Sequence, residues 1–178
     1  MPGFAKGISD AERRLLRLCL GLAVAGGCLL AAAAAAANYP STKPALIVPF
    51  RSIGGVKVGE SMATARKAWG KPSSCVPTES CSYVGRNGQA GFSIQSSRVD
   101  ALYIEINLNN FKHLSWKTPL TAFRTAKGIG LGSTLAQAKK AYPHLRFALG
   151  TYQLNGPKHS TMSIEFENGR AAEIEIGG

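Results

Sequence analysis

The sequence predicts an α+β fold: two tandem α-β-β-β repeats, each a short helix packed on an antiparallel meander, after an N-terminal signal segment. Three observations predict it. The stretch Gly55-Val-Lys-Val-Gly-Glu-Ser-Met-Ala-Thr-Ala-Arg-Lys-Ala-Trp69 is matched later by Gly128-Ile-Gly-Leu-Gly-Ser-Thr-Leu-Ala-Gln-Ala-Lys-Lys-Ala-Tyr142, with Gly59 on Gly132, Ser61 on Thr134 and Trp69 on Tyr142. Apolar residues recur in both at helical spacing: Met62, Ala65, Ala68 and Trp69 in one, Leu135, Ala138, Ala141 and Tyr142 in the other. Downstream of each helix, apolar residues alternate with polar ones and are interrupted by Asn87-Gly88, Asn155-Gly156 and Asn168-Gly169, residues that tolerate the positive φ of tight turns.

Residues 1–37 read as a leader. Lys6, Arg13, Arg14 and Arg17 precede an apolar run from Leu18 to Ala37 that ends in consecutive alanines, the pattern of a secretory signal cleaved near Ala37–Asn38. The run, residues 18–37, is also long enough for a retained membrane anchor. A lipid attachment at Cys28 fits less well, because Leu29-Leu30 continues the apolar run. The expected location is secreted or periplasmic, with membrane anchoring by residues 18–37 as the alternative.

The chain has 21 basic and 10 acidic residues, a net charge of +11. Without the leader, 17 basic and 8 acidic residues leave +9. That balance favours contact with anionic surfaces such as headgroups or cell-wall polymers, and for an exported chain nucleic acid is not the expected partner. Cys19 and Cys28 lie in the leader, so Cys75 and Cys81 remain, a close pair whose simplest state in an oxidising compartment is a disulfide.

Residues 38–50, with three prolines, read as an extended tether with a short extended piece at 46–48. Repeat 1 covers 51–108. Ser61 is placed to cap the helix and Gly70-Lys71-Pro72 to stop it. Strands follow at about 82–86, 91–95 and 99–108, with Phe92, Ile94, Leu102, Ile104 and Ile106 inward and Tyr103 and Glu105 outward. Residues 109–127 connect the repeats, and Phe111, Trp116, Pro119 and Phe123 make this segment a cover for apolar edges. Repeat 2 covers 128–178. Thr134 caps its helix, and strands follow at about 146–154, 161–167 and 171–176, with Met162, Ile164, Phe166, Ile174 and Ile176 inward.

The first match, Val56-x-Val58-Gly59-x-Ser61 with a short helix, Gly70 and a nearby cysteine pair, resembles a repeat of the secreted β-lactamase inhibitor protein. It also resembles the helix starts of the small lipoproteins of outer-membrane assembly. That resemblance implies a binding module whose sheets grip a partner protein. The sequence departs from the inhibitor pattern in two places: only the first repeat has a cysteine pair, and the second sheet presents glutamates where the inhibitor has aromatics. Inhibition of a β-lactamase is therefore not implied.

No catalytic constellation is found. Gly128-x-Gly130-x-Gly132-Ser-Thr lacks the lysine of a phosphate-binding P-loop. His113, His144 and His159 sit in separate segments without carboxylates or cysteines at ligand spacing. No catalytic, cofactor-binding or metal residue is assigned, and no cofactor is expected. The unusual cluster is acidic: Glu165, Glu167, Glu173 and Glu175 share one parity on a hairpin, a surface for a basic protein or a weakly held divalent cation unless lysines such as Lys139, Lys140 or Lys158 neutralise it. With Tyr103 and Glu105 they form the expected partner-binding set. The expected function is an exported, non-enzymatic protein-binding module acting through its outward sheet faces on another exported or envelope protein. The alternative is an envelope-associated structural protein that binds anionic polymer or membrane through its basic residues.

Overall fold

Both glycine-to-helix starts are formed by the same chemistry. The first helix, α1 (Met62–Trp69), begins at Ser61, whose hydroxyl accepts from the Thr64 amide, and ends at Gly70 in a left-handed conformation. The second, α2 (Leu135–Ala141), begins at Thr134 in a full capping box: the Thr134 hydroxyl accepts from the Gln137 amide, and the Gln137 side chain accepts from the Thr134 amide. Gly59 and Gly132, at φ 86° and 83°, turn the chain into these caps. Their amides donate to the carbonyls of Val99 and Ala171 at 2.7 and 2.8 Å. Arg98 and Arg170 return the contact, donating to the Gly59 and Gly132 carbonyls at 2.8 and 3.0 Å.

The computed structural model describes residues 39–106 and 116–178. The leader and the predicted Phe111 and His113 positions lie outside the described residues. Twelve strands run β1 (Leu46–Val48), β2 (Ser52–Ile53), β3 (Val56–Lys57), β4 (Ser74–Val76), β5 (Ser80–Gly85), β6 (Gly88–Gln95), β7 (Arg98–Ile106), β8 (Arg124–Thr125), β9 (Arg146–Ala148), β10 (Thr151–Asn155), β11 (Thr161–Glu167) and β12 (Arg170–Gly177). They form a four-stranded sheet, β3-β2-β1-β8, and an eight-stranded sheet, β4-β5-β6-β7-β12-β11-β10-β9.

This corrects the predicted fold class. The molecule is mostly β with two short helices among the described residues, not an α+β pair of helix-and-meander repeats. Three features overturn the prediction. β7 and β12 pair antiparallel, with Ile104 opposite Ile174 and Leu102 opposite Ile176, so the strands fuse into one sheet. Both are long, and their pairing removes two open edges that would otherwise template association. The cysteine segment between the helix and the first predicted strand is itself part of a strand pair, and the segment expected as one strand at 146–154 turns back at Leu149-Gly150, both at positive φ. Finally, residues 46–48 and 124–125 supply β1 and β8, which pair in parallel, so the stretches read as tether and connector build the second sheet.

The core lies between the helix-bearing face of the large sheet and the small sheet. Trp69 of α1 stacks edge-on against Tyr83, ring centroids 5.4 Å apart, and its indole N–H donates to the Ile53 carbonyl of β2 at 3.2 Å. Burial pushes the Tyr83 phenol up to about 12, and its O–H donates to the Gly70 carbonyl at 3.0 Å. Leu120 and Phe123, from the connecting segment, are fully buried. Cys75 and Cys81 form a disulfide between directly opposed positions of β4 and β5. Among the described residues, no helix is long and apolar enough to cross a membrane.

Candidate functional site

Alternation along β7, β11 and β12 sorts their residues by face. Leu102, Ile104, Ile106, Met162, Ile164, Ile174 and Ile176 are fully buried beneath the sheet. The intervening residues, Tyr103, Glu105, Ser163, Glu165, Glu173 and Glu175, are half-buried on the opposite face. Both helices lie on the core face: Trp69 of α1 packs on inward Tyr83 and Phe92, and Lys139 of α2 lies over the ring of Tyr152, which pairs with inward Ile164.

Strand register then decides which outward groups meet. Glu165 is opposite Glu173, Glu173 is opposite Glu105, and Glu105 is opposite Gln89, one row across β11, β12, β7 and β6. One row further, Ser163 is opposite Glu175 and Glu175 is opposite Tyr103. The Tyr103 ring crosses to β6 and lies over Gly91, where a Cβ would sit 2.5 Å from the phenol oxygen. A side chain at position 91 would lift the tyrosine off the sheet.

The row contains its own answer to charge crowding. Directly opposed carboxylates on neighbouring strands repel, and a group that cannot ionise without repulsion holds its proton. Glu173, between two carboxylates, is raised to about 7, first by burial and then by Glu105, Glu175 and Glu165. Burial also raises Glu105, an effect offset by the hydrogen bond from the Gln89 amide and reinforced by Glu165. Glu175 is raised by burial and then by Asp100. The Tyr103 phenol is raised by burial and then by Glu105, Glu173 and Glu175. Every charged group acting on Glu173 is a carboxylate.

The structure thus brings together five of the six predicted binding residues: Tyr103, Glu105, Glu165, Glu173 and Glu175. It separates the sixth. Glu167, two residues along β11 from Glu165, lies one step beyond the row, and a register shift between Glu165 and Phe166 sets it opposite Arg170. The lysines offered as neutralising partners sit elsewhere: Lys139 and Lys140 are on α2, on the other side of the sheet, and Lys158 is in the turn before Thr161, at the far end of β11 from Glu165. His144 and His159 are exposed in separate turns. Among the described residues no group of three or more His, Cys, Asp or Glu is arranged to hold a metal ion.

One feature was not legible in the sequence: a cleft of about 660 Å³ on the helix side, bordered by Arg124, Lys127, Lys140 and Arg170. Arg124 and Lys127 flank the Gly128 turn, and that spacing was the available signal. Lys140 and Arg170 arrive from α2 and β12, which only the fold could place there.

Comparison with known proteins adds little. No family model matches the chain, and no curated protein matches it. Among solved structures it is similar to an extracellular protein containing an SCP domain from Bacillus anthracis str. Ames, at 11% identity and a TM-score of 0.44. The match covers 67% of this chain and 43% of that one. The resemblance to the inhibitor family rests on the residues quoted for it.

Proposed function

We propose that the chain is an exported, non-enzymatic protein-binding module that presents the acidic face of its eight-stranded sheet to a basic surface of another exported or envelope protein. The observation that carries this reading is the row Glu165–Glu173–Glu105, three carboxylates in register across three strands with Gln89 beside them. A basic partner would supply cations to the Glu165–Glu173–Glu105 row, where every charged group acting on Glu173 is a carboxylate. It would also lower the proton affinity of Glu173, so that binding releases a proton near neutral pH. Tyr103, a broad ring held flat over Gly91, adds an aromatic contact of the kind enriched at interface centres. The leader sequence and the Cys75–Cys81 disulfide support export.

Capture from culture supernatant and envelope extract tests it. The wild type should retain a basic protein that a Glu105→Gln, Glu165→Gln, Glu173→Gln triple variant loses. Glu167→Gln, outside the row, should retain it. Equal capture by wild type and triple variant would remove this face from consideration.

A further inference from the structure

Opposite charges cluster in two places among the described residues. Carboxylates crowd the outer face of the sheet, whereas the cleft beside α2 is lined by Arg124, Lys127, Lys140 and Arg170 together with Ser133 and Gln137, and no carboxylate lines it. Three of the four cations are held in place. Arg124 donates to the Gly128 carbonyl at 3.0 Å and to the Ser133 hydroxyl at 3.3 Å. Arg170 donates to the Gly132 carbonyl at 3.0 Å. Lys127 donates to the Ala141 carbonyl at 2.8 Å, with its ammonium 4.9 Å from the Tyr142 ring centroid. Among the described residues each arginine uses one terminal nitrogen in these bonds, and a guanidinium has five N–H donors in a planar fork. The other donors can meet a ligand from a group already oriented.

Gly130, behind the cleft, sets the approach of β8. A Cβ there would sit 2.2 Å from the Phe123 carbonyl and 2.9 Å from the Arg124 side chain, so glycine lets β8 approach and brings Arg124 to the rim. In the matching stretch before α1, Lys57 stands at the position of Gly130 and Glu60 at that of Ser133. A bulky side chain and a carboxylate there replace the small, neutral residues of this cleft.

The glycine loop is not itself a phosphate cradle. Four of its amides are already committed: Gly128 to the Thr125 carbonyl, Ile129 to the Thr125 hydroxyl, Gly130 to the Ser133 hydroxyl and Gly132 to the Ala171 carbonyl. The cationic side chains are therefore the main donors offered to an anion.

We infer that this cleft binds a polyvalent oxyanion of the phosphate class. Planar guanidinium forks match tetrahedral oxyanions in paired hydrogen bonds, and two ammonium groups add charge without demanding a direction. Four cations around a volume well above that of one phosphate favour a ligand with at least two anionic groups. Such chemistry is offered both by free diphosphates and by phosphate headgroups at a membrane surface.

Calorimetric titration of the protein with inorganic pyrophosphate at low ionic strength tests the inference. Saturable binding is expected, at least about fivefold tighter than for orthophosphate and weakened as salt is raised. Lys140→Glu reverses a charge at the rim and breaks no side-chain hydrogen bond among the described residues, so it should weaken binding about fivefold or more in a folded protein. Lys67→Glu, the same change at the matching position of α1, should leave binding within about twofold. Vesicles containing phosphatidylglycerol, compared with pure phosphatidylcholine, separate the sources. Retention on the anionic vesicles that pyrophosphate displaces and Lys140→Glu abolishes assigns the site to headgroups. Pyrophosphate binding without retention assigns it to a free ligand. Absence of saturable pyrophosphate binding overturns the inference, as does equal weakening by Lys140→Glu and Lys67→Glu, which would show general charge attraction only.

Discussion

Glu173 faces Glu105 directly across the β7–β12 pairing, the contact that joins the two halves of the large sheet. The same pairing that buries Ile104 against Ile174 therefore places two acids side by side on the outer surface. Apolar gain beneath the sheet and electrostatic cost above it are fixed by one register, because a one-residue slip would exchange the faces.

That cost should be visible as pH dependence. Glu173 binds its proton more tightly in the folded chain, at about 7 against an ordinary 4.5, so the native state holds more protons between those values. The free energy of unfolding therefore falls as pH rises from about 4.5 to about 7 and levels off above. Glu105 and Glu175 are raised as well and act in the same direction. Glu173→Gln should raise stability at pH 8 by on the order of 1 kcal/mol, after allowance for solvent screening, and change little at pH 5. Thermal unfolding of both proteins at the two pH values measures it. A stabilisation equal at both would mean that the glutamate holds no raised proton affinity.

The helix starts give a second prediction. Thr134→Ala removes a hydroxyl that accepts from the Gln137 amide and leaves the reciprocal Gln137 contact without its frame. The expected loss is about 1 kcal/mol, read from denaturant unfolding. Thr134→Ser, which keeps the acceptor, should recover most of it. Failure of serine to rescue would show that the methyl group, not the cap, carries the effect.

Both caps, both helices and the alternating inward residues of β6, β7, β11 and β12 named from the sequence were legible, because each depends on neighbours within a few positions. Ser61 and Thr134 cap as their spacing implies, and Asn168-Gly169 turns between β11 and β12. Strand partnership was not legible. Nothing local in residues 98–106 says that their edge is met by 170–177, or that 46–48 runs parallel to 124–125. For the same reason the parity of the glutamates was readable and their row was not. Glu105 joins Glu173 only through long-range pairing, and the bulge that sets Glu167 opposite Arg170 is announced by no residue type.

The cysteine pair bridges a short span, six positions apart in sequence, on the edge hairpin of the large sheet. By the chain-entropy estimate, closing so small a loop contributes roughly 2 kcal/mol. A Cys75→Ser, Cys81→Ser double variant should lose about that much, with faster amide exchange confined at first to β4 and β5. Intact-mass measurement of the exported protein supplies a direct check, since the disulfide removes two hydrogens. The same spectrum tests cleavage at Ala37–Asn38.

Two glycines of the doubled motif should respond to alanine for opposite reasons. Gly59 has φ 86° and open space where a Cβ would be, so Gly59→Ala suffers backbone strain alone, about 1 kcal/mol. Gly130 needs no unusual φ, but a Cβ there would lie 2.2 Å from the Phe123 carbonyl, a backbone atom that cannot swing aside. Relieving that overlap means separating β8 from the 128–132 loop, with loss of the Arg124–Gly130 bridge and a shift of the buried Phe123 ring. Gly130→Ala should therefore cost about 2–4 kcal/mol, the range of an overpacked core with a disturbed hydrogen bond. Because Arg124 would move with β8, the same variant should weaken pyrophosphate binding even where it remains folded, whereas Gly59→Ala should not. Chemical denaturation of the two variants orders the costs. A Gly130→Ala protein as stable as Gly59→Ala would show that β8 can yield without breaking the small sheet.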